Sequence, residues 1–246
     1  MEPVVVDEVS KHFGKMIAVE RLSFSIGEGE VLGLIGENGA GKTTTMRMMA
    51  TILAPTQGEI RINGYSVKKD AMAVRTQLGI LFGGDVGFYS RLTARENIAY
   101  FGSLYGLRGK ELAGRIETLA EMLEMKEFID RRVGPFSRGM KQKVAIARTL
   151  VHDPQVILLD EPTTGLDVSA AAIFRQLITT MRESGKTILF SSHNMGEIEK
   201  LCDRVVVIHK GKLLFIGTIA SLRRRTGLHD LDDLFLELVT GGRPLV

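Results

Sequence analysis

The segment from residue 32 to residue 44 restricts the possible folds of this chain more than any other. It reads LGLIGENGAGKTT, in which an aliphatic run precedes the pattern Gly-x4-Gly-Lys-Thr that starts at Gly36. The aliphatic run predicts a buried strand, and the stretch from 43 to 51 predicts a helix. In random chains of this length and of ordinary glycine content, such a pattern would occur roughly once in a hundred. We therefore expect a strand, a glycine-rich turn and a helix at the centre of the fold.

The residue types of this turn suit the binding of a triphosphate. Glycines at 36, 39 and 41 allow several backbone N–H groups to face phosphate oxygens without side-chain clashes. The following helix adds its N-terminal amides and dipole, Lys42 can reach the β- and γ-phosphates, and the Thr43 hydroxyl can ligate Mg²⁺. The segment matches the phosphate-binding P-loop. Its predicted nucleotide-binding residues are Gly36, Glu37, Asn38, Gly39, Ala40, Gly41, Lys42, Thr43 and Thr44.

A second aliphatic run ends in two acidic residues. Residues 156–161 read VILLDE, so the carboxylates of Asp160 and Glu161 follow a predicted buried strand. A carboxylate in this position beside a P-loop is suited to hold Mg²⁺ through water, which we predict for Asp160. Glu161 would face the γ-phosphate and act as general base for the attacking water. Together the two runs predict hydrolysis of a nucleoside triphosphate with Mg²⁺ as cofactor.

Further aliphatic runs predict the rest of a central sheet. They lie at 187–190 and 205–208, and segments with helical spacing separate them. This alternation is typical of an α/β fold with a mostly parallel sheet covered on both faces. The first thirty residues, with short strands on either side of a turn at Gly14, and a strand-and-turn pattern at 58–64 instead predict a small antiparallel sheet packed on the main one.

Helical periodicity replaces the strand pattern in the middle of the chain. Aliphatic residues recur at helical intervals from 112 to 123, and a second apolar stripe of this kind lies between 231 and 238. We therefore predict a single domain over 1–246, with a nucleotide-binding core at 1–89 and 153–220, a helical subdomain at 90–152 and a C-terminal helical tail at 221–246.

Composition excludes several classes of protein. Hydrophobic residues make up 44% of the chain, enough for a large core, and a formal net charge of +3 predicts no nucleic-acid partner. We interpret the arginines at 223–225 as a solvated helix face and the single cysteine, Cys202, as a small buried apolar residue. No segment reaches the roughly 18 apolar residues that span a membrane. We expect a soluble, cytoplasmic protein.

The order of these motifs resembles that of the ABC ATPases over nearly the whole chain. Residues 36–44 resemble the Walker A motif, 156–161 resemble Walker B, 163–167 (TTGLD) resemble the D-loop, and 191–193 (SSH) resemble the histidine switch. The resemblance implies a P-loop NTPase fold, with a RecA-like, mostly parallel sheet, a small antiparallel β-subdomain and an inserted helical subdomain.

The resemblance also implies roles for individual residues. His193 would hydrogen-bond the γ-phosphate, and with Glu161 and Lys42 it completes the predicted catalytic set. Phe13 lies where the family stacks an aromatic ring on adenine, and because such stacking tolerates any base, we expect weak discrimination between ATP and GTP. Four histidines lack such a context and are interpreted as structural or surface residues: His12, His152, His209 and His229.

The signature motif of the family is present in altered form. Residues 136–140 read FSRGM where the family has LSGGQ, so only the serine and one glycine remain. In the family, this serine and the amides of the following helix bind the nucleotide held by the other subunit. Ser137, Gly139 and Met140 are therefore predicted nucleotide-binding residues. The resemblance implies a head-to-tail dimer, formed with a second copy of the chain or with a paralogous ATPase subunit.

A second departure affects the Q-loop, where the family offers a glutamine to the metal and the attacking water. Residues 78–93 read LGILFGGDVGFYSRLT and contain no glutamine. Asp85 is the candidate substitute as a metal ligand. The sequence leaves open whether this segment keeps the Q-loop function.

Two functions fit these motifs. In the first, the chain is the motor of a membrane transporter, peripheral on the inner face of the cell membrane. Its helical insert and Q-loop cleft would bind a cytoplasmic helix of integral membrane permease subunits. In the second, it is a soluble ABC ATPase that drives an assembly process such as iron-sulfur cluster biogenesis. Residues 81–98 and 137–142 are similar to exporter ATPases of the ABC-2 type, in the sodium-extruding and drug-exporting branches, which favours the first.

Other P-loop proteins are excluded by what the sequence lacks. A GTPase needs an Asn-Lys-x-Asp segment to read guanine, and no Asn-Lys pair occurs. Chromosome-organising ATPases divide the cassette with long heptad arms, for which a chain of 246 residues has no room. No residue is expected to contact cargo, so the sequence does not predict the transported substrate.

Overall fold

The computed structural model describes residues 2–82, 87–164 and 167–241. Its strands are β1 (Val4–Phe13), β2 (Met16–Ile26), β3 (Val31–Ile35), β4 (Gln57–Ile62), β5 (Tyr65–Ser66), β6 (Leu78–Leu81), β7 (Val156–Asp160), β8 (Thr187–Ser191), β9 (Arg204–His209) and β10 (Lys212–Gly217). Its helices are α1 (Lys42–Met49), α2 (Ala71–Gln77), α3 (Ala94–Leu104), α4 (Gly109–Met122), α5 (Arg138–Leu150), α6 (Val168–Glu183), α7 (Met195–Leu201), α8 (Ile219–Thr226) and α9 (Leu231–Gly241).

A six-stranded sheet forms the centre of the fold, with strand order β10-β9-β3-β8-β7-β6. The neighbours β9, β3, β8, β7 and β6 run parallel, and only β10 pairs antiparallel with β9. Since the carboxyl ends of parallel strands meet at one edge of a sheet, the residues that follow β3, β7 and β8 come together there. The predicted α/β class with a mostly parallel sheet is confirmed.

Alternating side chains of the central strand enter two separate cores. Val31 and Ile35 of β3 pack in the core shared with α3 to α9, whereas Leu32 and Leu34 pack in the core beneath the small sheet. A strand buried on both faces needs apolar residues at every position, which explains the unbroken aliphatic runs of the sequence. All five residues of β3, β7 and β8 are buried.

The small antiparallel sheet has the order β2-β1-β4-β5 and covers one face of the main sheet. The turn between β1 and β2 contains Gly14 with φ +58°, the left-handed conformation that glycine adopts without strain. The predicted antiparallel subdomain is therefore confirmed.

Helices α3, α4 and α5 lie between β6 and β7 in sequence. Helix α3 begins with a capping box, in which Thr93 and Glu96 each accept a hydrogen bond from the other's backbone N–H. Within 90–152, all of which is described, the only strand-like pairing is one isolated bridge between Thr93 and Arg132. The predicted helical insert is present, while the division of the chain at 90 and 152 stays a prediction.

Some elements were not predicted from the sequence. Strands β6 and β10 and helix α2 had no assigned pattern, and α1 spans Lys42–Met49 rather than 43–51. In the parts of the chain that the structure describes, no helix is both long and apolar enough to cross a membrane. Cys202 is partly buried against the larger core, and burial raises the pKa of its thiol. Arg223 is not simply solvated, because its guanidinium donates to Glu199 at 2.6 Å.

Candidate functional site

The glycine-rich loop joins β3 to α1 at the carboxyl edge of the main sheet. Gly36 passes so close to β9 that a Cβ atom there would lie 2.4 Å from the carbonyl oxygen of Ile208. Gly39 and Gly41 have φ of +82° and +110°, in the region that residues with a side chain rarely adopt. All three glycines are therefore required by the path of the backbone.

Lys42 places its ammonium group inside this loop. Nζ donates hydrogen bonds to the carbonyl oxygens of Gly36 at 2.6 Å and Glu37 at 3.2 Å, and the residue is only 6% exposed. Burial lowers the pKa of Lys42, while the carboxylates of Glu161 and Asp160 act in the opposite direction. The loop thus contains a buried cation beside the first amides of α1, an arrangement suited to a polyphosphate.

Asp160 is the point where three elements meet. One carboxylate oxygen accepts the Thr43 hydroxyl at 2.7 Å, and the other accepts the Ser191 hydroxyl at 2.7 Å. These residues belong to α1 and β8, and Asp160 itself ends β7 and is 6% exposed. A buried carboxylate with both oxygens hydrogen-bonded has a fixed orientation.

Glu161 adopts a strained backbone conformation at the start of the next turn. Its φ is +48°, in the left-handed region, and its N–H is held by the backbone oxygen of Ser191 at 3.1 Å and by the Ser191 hydroxyl at 3.0 Å. Its side-chain Oε2 lies 3.4 Å from His193 Nδ1 and accepts a hydrogen bond from Thr164 at 3.4 Å. Strain of this kind on a polar residue is typical of functional sites.

A cleft of about 320 Å³ lies over the loop. Its walls include Phe13, the last residue of β1, which is 42% exposed, and Glu161. The predicted residues that line the cleft are Phe13, Glu37, Asn38, Gly39, Gly41, Lys42, Thr43, Thr44 and Glu161. Gly36, Ala40 and Asp160 are buried beneath it. The cleft thus combines an exposed aromatic ring, a phosphate-type loop and a carboxylate.

The altered signature motif does not reach this cleft. Ser137 is the N-cap of α5 and accepts a hydrogen bond from the backbone N–H of Met140 at 3.3 Å. Ser137 is exposed, Gly139 and Met140 are partly exposed, and none of the three lines the cleft. His193 is also outside its lining and lies beside a neighbouring cavity with Thr163 and Asn194. One chain therefore brings together only part of the predicted site.

The residues around Asp160 fit Mg²⁺ in combination with a phosphate ligand. Among the described residues, no cluster of three or more His, Cys, Asp or Glu side chains could hold a metal ion. Mg²⁺ prefers oxygen ligands and often binds only one or two protein groups, the rest being water and phosphate. The Thr43 hydroxyl and the Asp160 carboxylate are oxygen donors of this type. Asp85, the third predicted ligand, lies outside the described residues.

Three contacts in this region were not predicted from the sequence. His209, interpreted as structural or surface, ends β9 with its Nδ1 3.1 Å from a carboxylate oxygen of Glu37 in the loop, although not in hydrogen-bond geometry. Gln142 donates to the carbonyl oxygen of Pro162 at 2.7 Å, and Thr163 donates to Glu197 at 2.7 Å. His209 had a usable signal, because it is a polar residue at the carboxyl end of a predicted parallel strand, as Asp160 is.

Comparison with known proteins agrees with this geometry. The family model described as ABC transporter matches residues 19–164. The chain is 49% identical over 225 residues to the ABC transporter ATP-binding protein NatA of Bacillus subtilis (strain 168), covering 92% of each chain. It is 38% identical over 216 residues to the Nod factor export ATP-binding protein I of Paraburkholderia xenovorans (strain LB400), covering 88% of this chain and 71% of that one.

A solved structure shows the same architecture. It is the dimeric structure of an ATP-binding cassette in a post-hydrolysis state, bound to ADP and Pi. The TM-score is 0.79 at 26% sequence identity, and the match covers 88% of this chain and 98% of that chain.

Proposed function

This chain belongs to the ABC transporter family and is an ATP-hydrolysing subunit, and on that premise we propose that two copies enclose two ATP molecules and drive export through membrane-embedded partner subunits. The observation that carries the proposal is the separation of the site within one chain. The loop and Glu161 share a cleft, whereas Ser137 is exposed elsewhere. A second chain would therefore have to supply the signature residues.

ATP occupies the cleft over the glycine-rich loop in this proposal. Phe13, Gly39, Gly41 and Lys42 line this cleft. We propose that the exposed ring of Phe13 stacks on adenine and that the other three residues contact the phosphates. Stacking is worth roughly 1–3 kcal/mol per base and depends little on base identity. We therefore propose that the cleft accepts GTP nearly as well as ATP.

Mg²⁺ is proposed to bind at Thr43 and Asp160, where it would neutralise charge on the β- and γ-phosphates. The two residues are already in contact at 2.7 Å, and Ser191 holds the second oxygen of Asp160. The protein therefore orients its metal-ligating carboxylate through hydrogen bonds from its own hydroxyl groups.

Hydrolysis is proposed to proceed by attack of water on the γ-phosphorus. Glu161 accepts a proton from that water, and the water oxygen forms the new bond to phosphorus. The bond from phosphorus to the β–γ bridging oxygen breaks, leaving ADP and phosphate. Lys42 stabilises the negative charge on the phosphates. His193, whose Nδ1 lies 3.4 Å from a carboxylate oxygen of Glu161, is proposed to hydrogen-bond the γ-phosphate.

The partner chain is proposed to supply Ser137, Gly139 and Met140. Helix α5, which starts at these residues, has 13 residues and presents its first amides together with the Ser137 hydroxyl. A helix N-terminus with an exposed serine is suited to a γ-phosphate. Two equivalent chains would give a head-to-tail pair with C2 symmetry.

An exposed surface formed by α3 and the segment before it supports the proposal of a membrane partner. Tyr89 and Tyr100 are 48% and 42% exposed and contact each other edge to face at 5.1 Å, and Leu104 is 64% exposed. Exposed aromatic residues of this kind are enriched at protein interfaces. We assign this surface to a cytoplasmic helix of the permease, which would hold the chain at the inner face of the membrane.

The soluble assembly ATPase remains the second candidate, and copurification with membranes separates the two.

Mixing of two inactive variants tests the shared site. Lys42→Ala disables the loop of its own chain, and Ser137→Ala disables the signature that its chain offers to the partner. Each variant alone should be nearly inactive, whereas an equal mixture should recover about a quarter of wild-type turnover, because half of the dimers are mixed and each has one intact site. No recovery, or a wild-type monomer that hydrolyses ATP at full rate in dilute solution, would contradict the proposal.

A further inference from the structure

Glu197 is a buried carboxylate that lies outside the nucleotide cleft. It is 6% exposed and sits in the first turn of α7. Its Oε2 accepts the hydroxyl of Thr163 at 2.7 Å and that of Ser192 at 3.3 Å, and Ser192 also accepts the backbone N–H of Asn194 at 3.0 Å. Burial of a carboxylate is costly unless hydrogen bonds compensate it, so its partners are an essential part of this arrangement.

The two hydroxyl donors belong to the two segments that carry the proposed catalytic pair. Thr163 is two residues after Glu161, and Ser192 immediately precedes His193. The Glu161 and His193 side chains approach to 3.4 Å on one side of these segments, and Glu197 joins the segments through a different pair of side chains. The turn after β7 and the turn after β8 are thus connected twice.

We infer that Glu197 is a positioning residue for ATP hydrolysis, which fixes the turn after Glu161 against the turn that bears His193. The inference rests on the proposed roles of those two residues. Glu197 itself touches neither the nucleotide cleft nor Glu161. Its effect would pass through the spacing of the two turns, and a small error in the position of a general base slows the chemical step strongly.

A second hydrogen bond to the same turn strengthens the inference. Gln142 of α5 donates to the carbonyl oxygen of Pro162, the residue between Glu161 and Thr163, at 2.7 Å. Residues 162–163 are therefore held by α5 through one bond and by α7 through the other. Since Glu161 has a strained backbone conformation with φ +48°, it depends on such neighbours to keep it.

Four variants test this role. Glu197→Ala should lower kcat on the order of tenfold or more, with little change in the KM for ATP, because the nucleotide cleft is intact. Thr163→Val, which removes one donor at constant size, should lower kcat in the same way. The double variant should be no slower than Glu197→Ala alone. Glu197→Gln should restore most of kcat, since its amide oxygen can accept both hydroxyls.

Glu199→Gln is the matched control, because Glu199 lies on the same helix, is exposed and pairs with Arg223. It should leave kcat unchanged. If Glu197→Ala keeps wild-type kcat, if its effect adds to that of Thr163→Val, or if only stability falls, the inference is wrong. Should Glu197→Ala fail to fold, normal kcat in Thr163→Val alone overturns it. Glu161→Gln in the same assay distinguishes failure of this inference from failure of the proposed function. Normal turnover of Glu161→Gln would refute the proposed function, whereas loss of turnover leaves only the role of Glu197 in question.

Discussion

The Thr43 hydroxyl donates a hydrogen bond of 2.7 Å to a carboxylate oxygen of Asp160, and this bond joins the first turn of α1 to the end of β7. The two residues are 117 positions apart in sequence. Ser191 holds the other oxygen, so the orientation of Asp160 is set by two hydroxyl groups from two different elements. Contacts within the protein therefore set the orientation of the Asp160 carboxylate.

Asp160→Asn should impair the proposed Mg²⁺ site specifically. The amide keeps the size of the side chain but removes its negative charge. We expect the Mg²⁺ concentration for half-maximal turnover to rise roughly tenfold or more, while ATP binding measured in excess EDTA stays close to wild type. Asp7→Asn, at an exposed position of β1, is the control. Equal Mg²⁺ dependence in the Asp160 variant and the wild type would show that this carboxylate is not a metal ligand.

Glu161→Gln should separate ATP binding from hydrolysis. The amide cannot accept the proton of the attacking water, so turnover should fall by roughly 10²–10⁴-fold. Because the loop and Phe13 are unaffected, the Kd for ATP should change less than threefold. This is a small change in binding free energy, since a tenfold change in Kd corresponds to about 1.4 kcal/mol. Gel filtration with saturating MgATP should show a persistent dimer. Monomer alone under these conditions would contradict the enclosure of ATP between two chains.

The sequence predicted those elements whose residue pattern is visible within one short segment. The strands at 31–35, 156–159, 187–190 and 205–208 were recognisable because burial on both faces requires continuous apolar runs. Strand β6 has only four residues at the sheet edge, and β10, on the opposite edge, has only two buried residues, Leu214 and Phe215. Their existence depends on pairing with β7 and β9, which no local pattern reveals.

The candidate site likewise has one part that the sequence predicted and another that it did not. The loop at 36–44 was predictable because a strand, three glycines and a helix follow one another directly. The contact of His209 with Glu37 and that of Glu197 with Thr163 join residues that only the sheet order brings together. A predictive rule exists for His209, which ends a parallel strand, but Glu197 lies inside a helix and has no comparable signal. A contact such as that of Glu197 with Thr163 can be recognised only in the three-dimensional structure.

Phe13→Ala should weaken nucleotide binding without altering its specificity. Loss of base stacking costs roughly 1–3 kcal/mol, so the Kd for ATP should rise about tenfold or more. The Kd for GTP should rise by a similar factor, since the ring has no polar atom with which to distinguish the bases. Phe13→Tyr keeps the ring and should bind as the wild type does. Unchanged Kd values in the alanine variant would exclude Phe13 from the adenine site.

His152 should make the protein less stable in mild acid. Its ring stacks on Tyr105 at 3.6 Å between centroids, and its Nε2 bonds to the carbonyl oxygen of Leu78 at 2.9 Å. Among the residues that the structure describes, Nδ1 is buried without a hydrogen-bond partner, so a second proton on the ring would have no acceptor. Burial accordingly lowers the pKa of His152 below its ordinary value of 6.5.

The sign of the effect follows from proton uptake. The unfolded chain protonates His152 near its ordinary pKa of 6.5, whereas the native state protonates it only at lower pH. The unfolded state therefore binds more protons in this window, and the free energy of unfolding falls as pH drops below about 6.5. In His152→Gln, which cannot become charged, this part of the decline should be absent, so urea unfolding from pH 7.5 to 5 should give converging curves for the two proteins. His229→Gln, at an exposed position, controls for the loss of a histidine. Parallel curves for the wild type and His152→Gln would mean that protonation of this ring is not what destabilises the fold in acid.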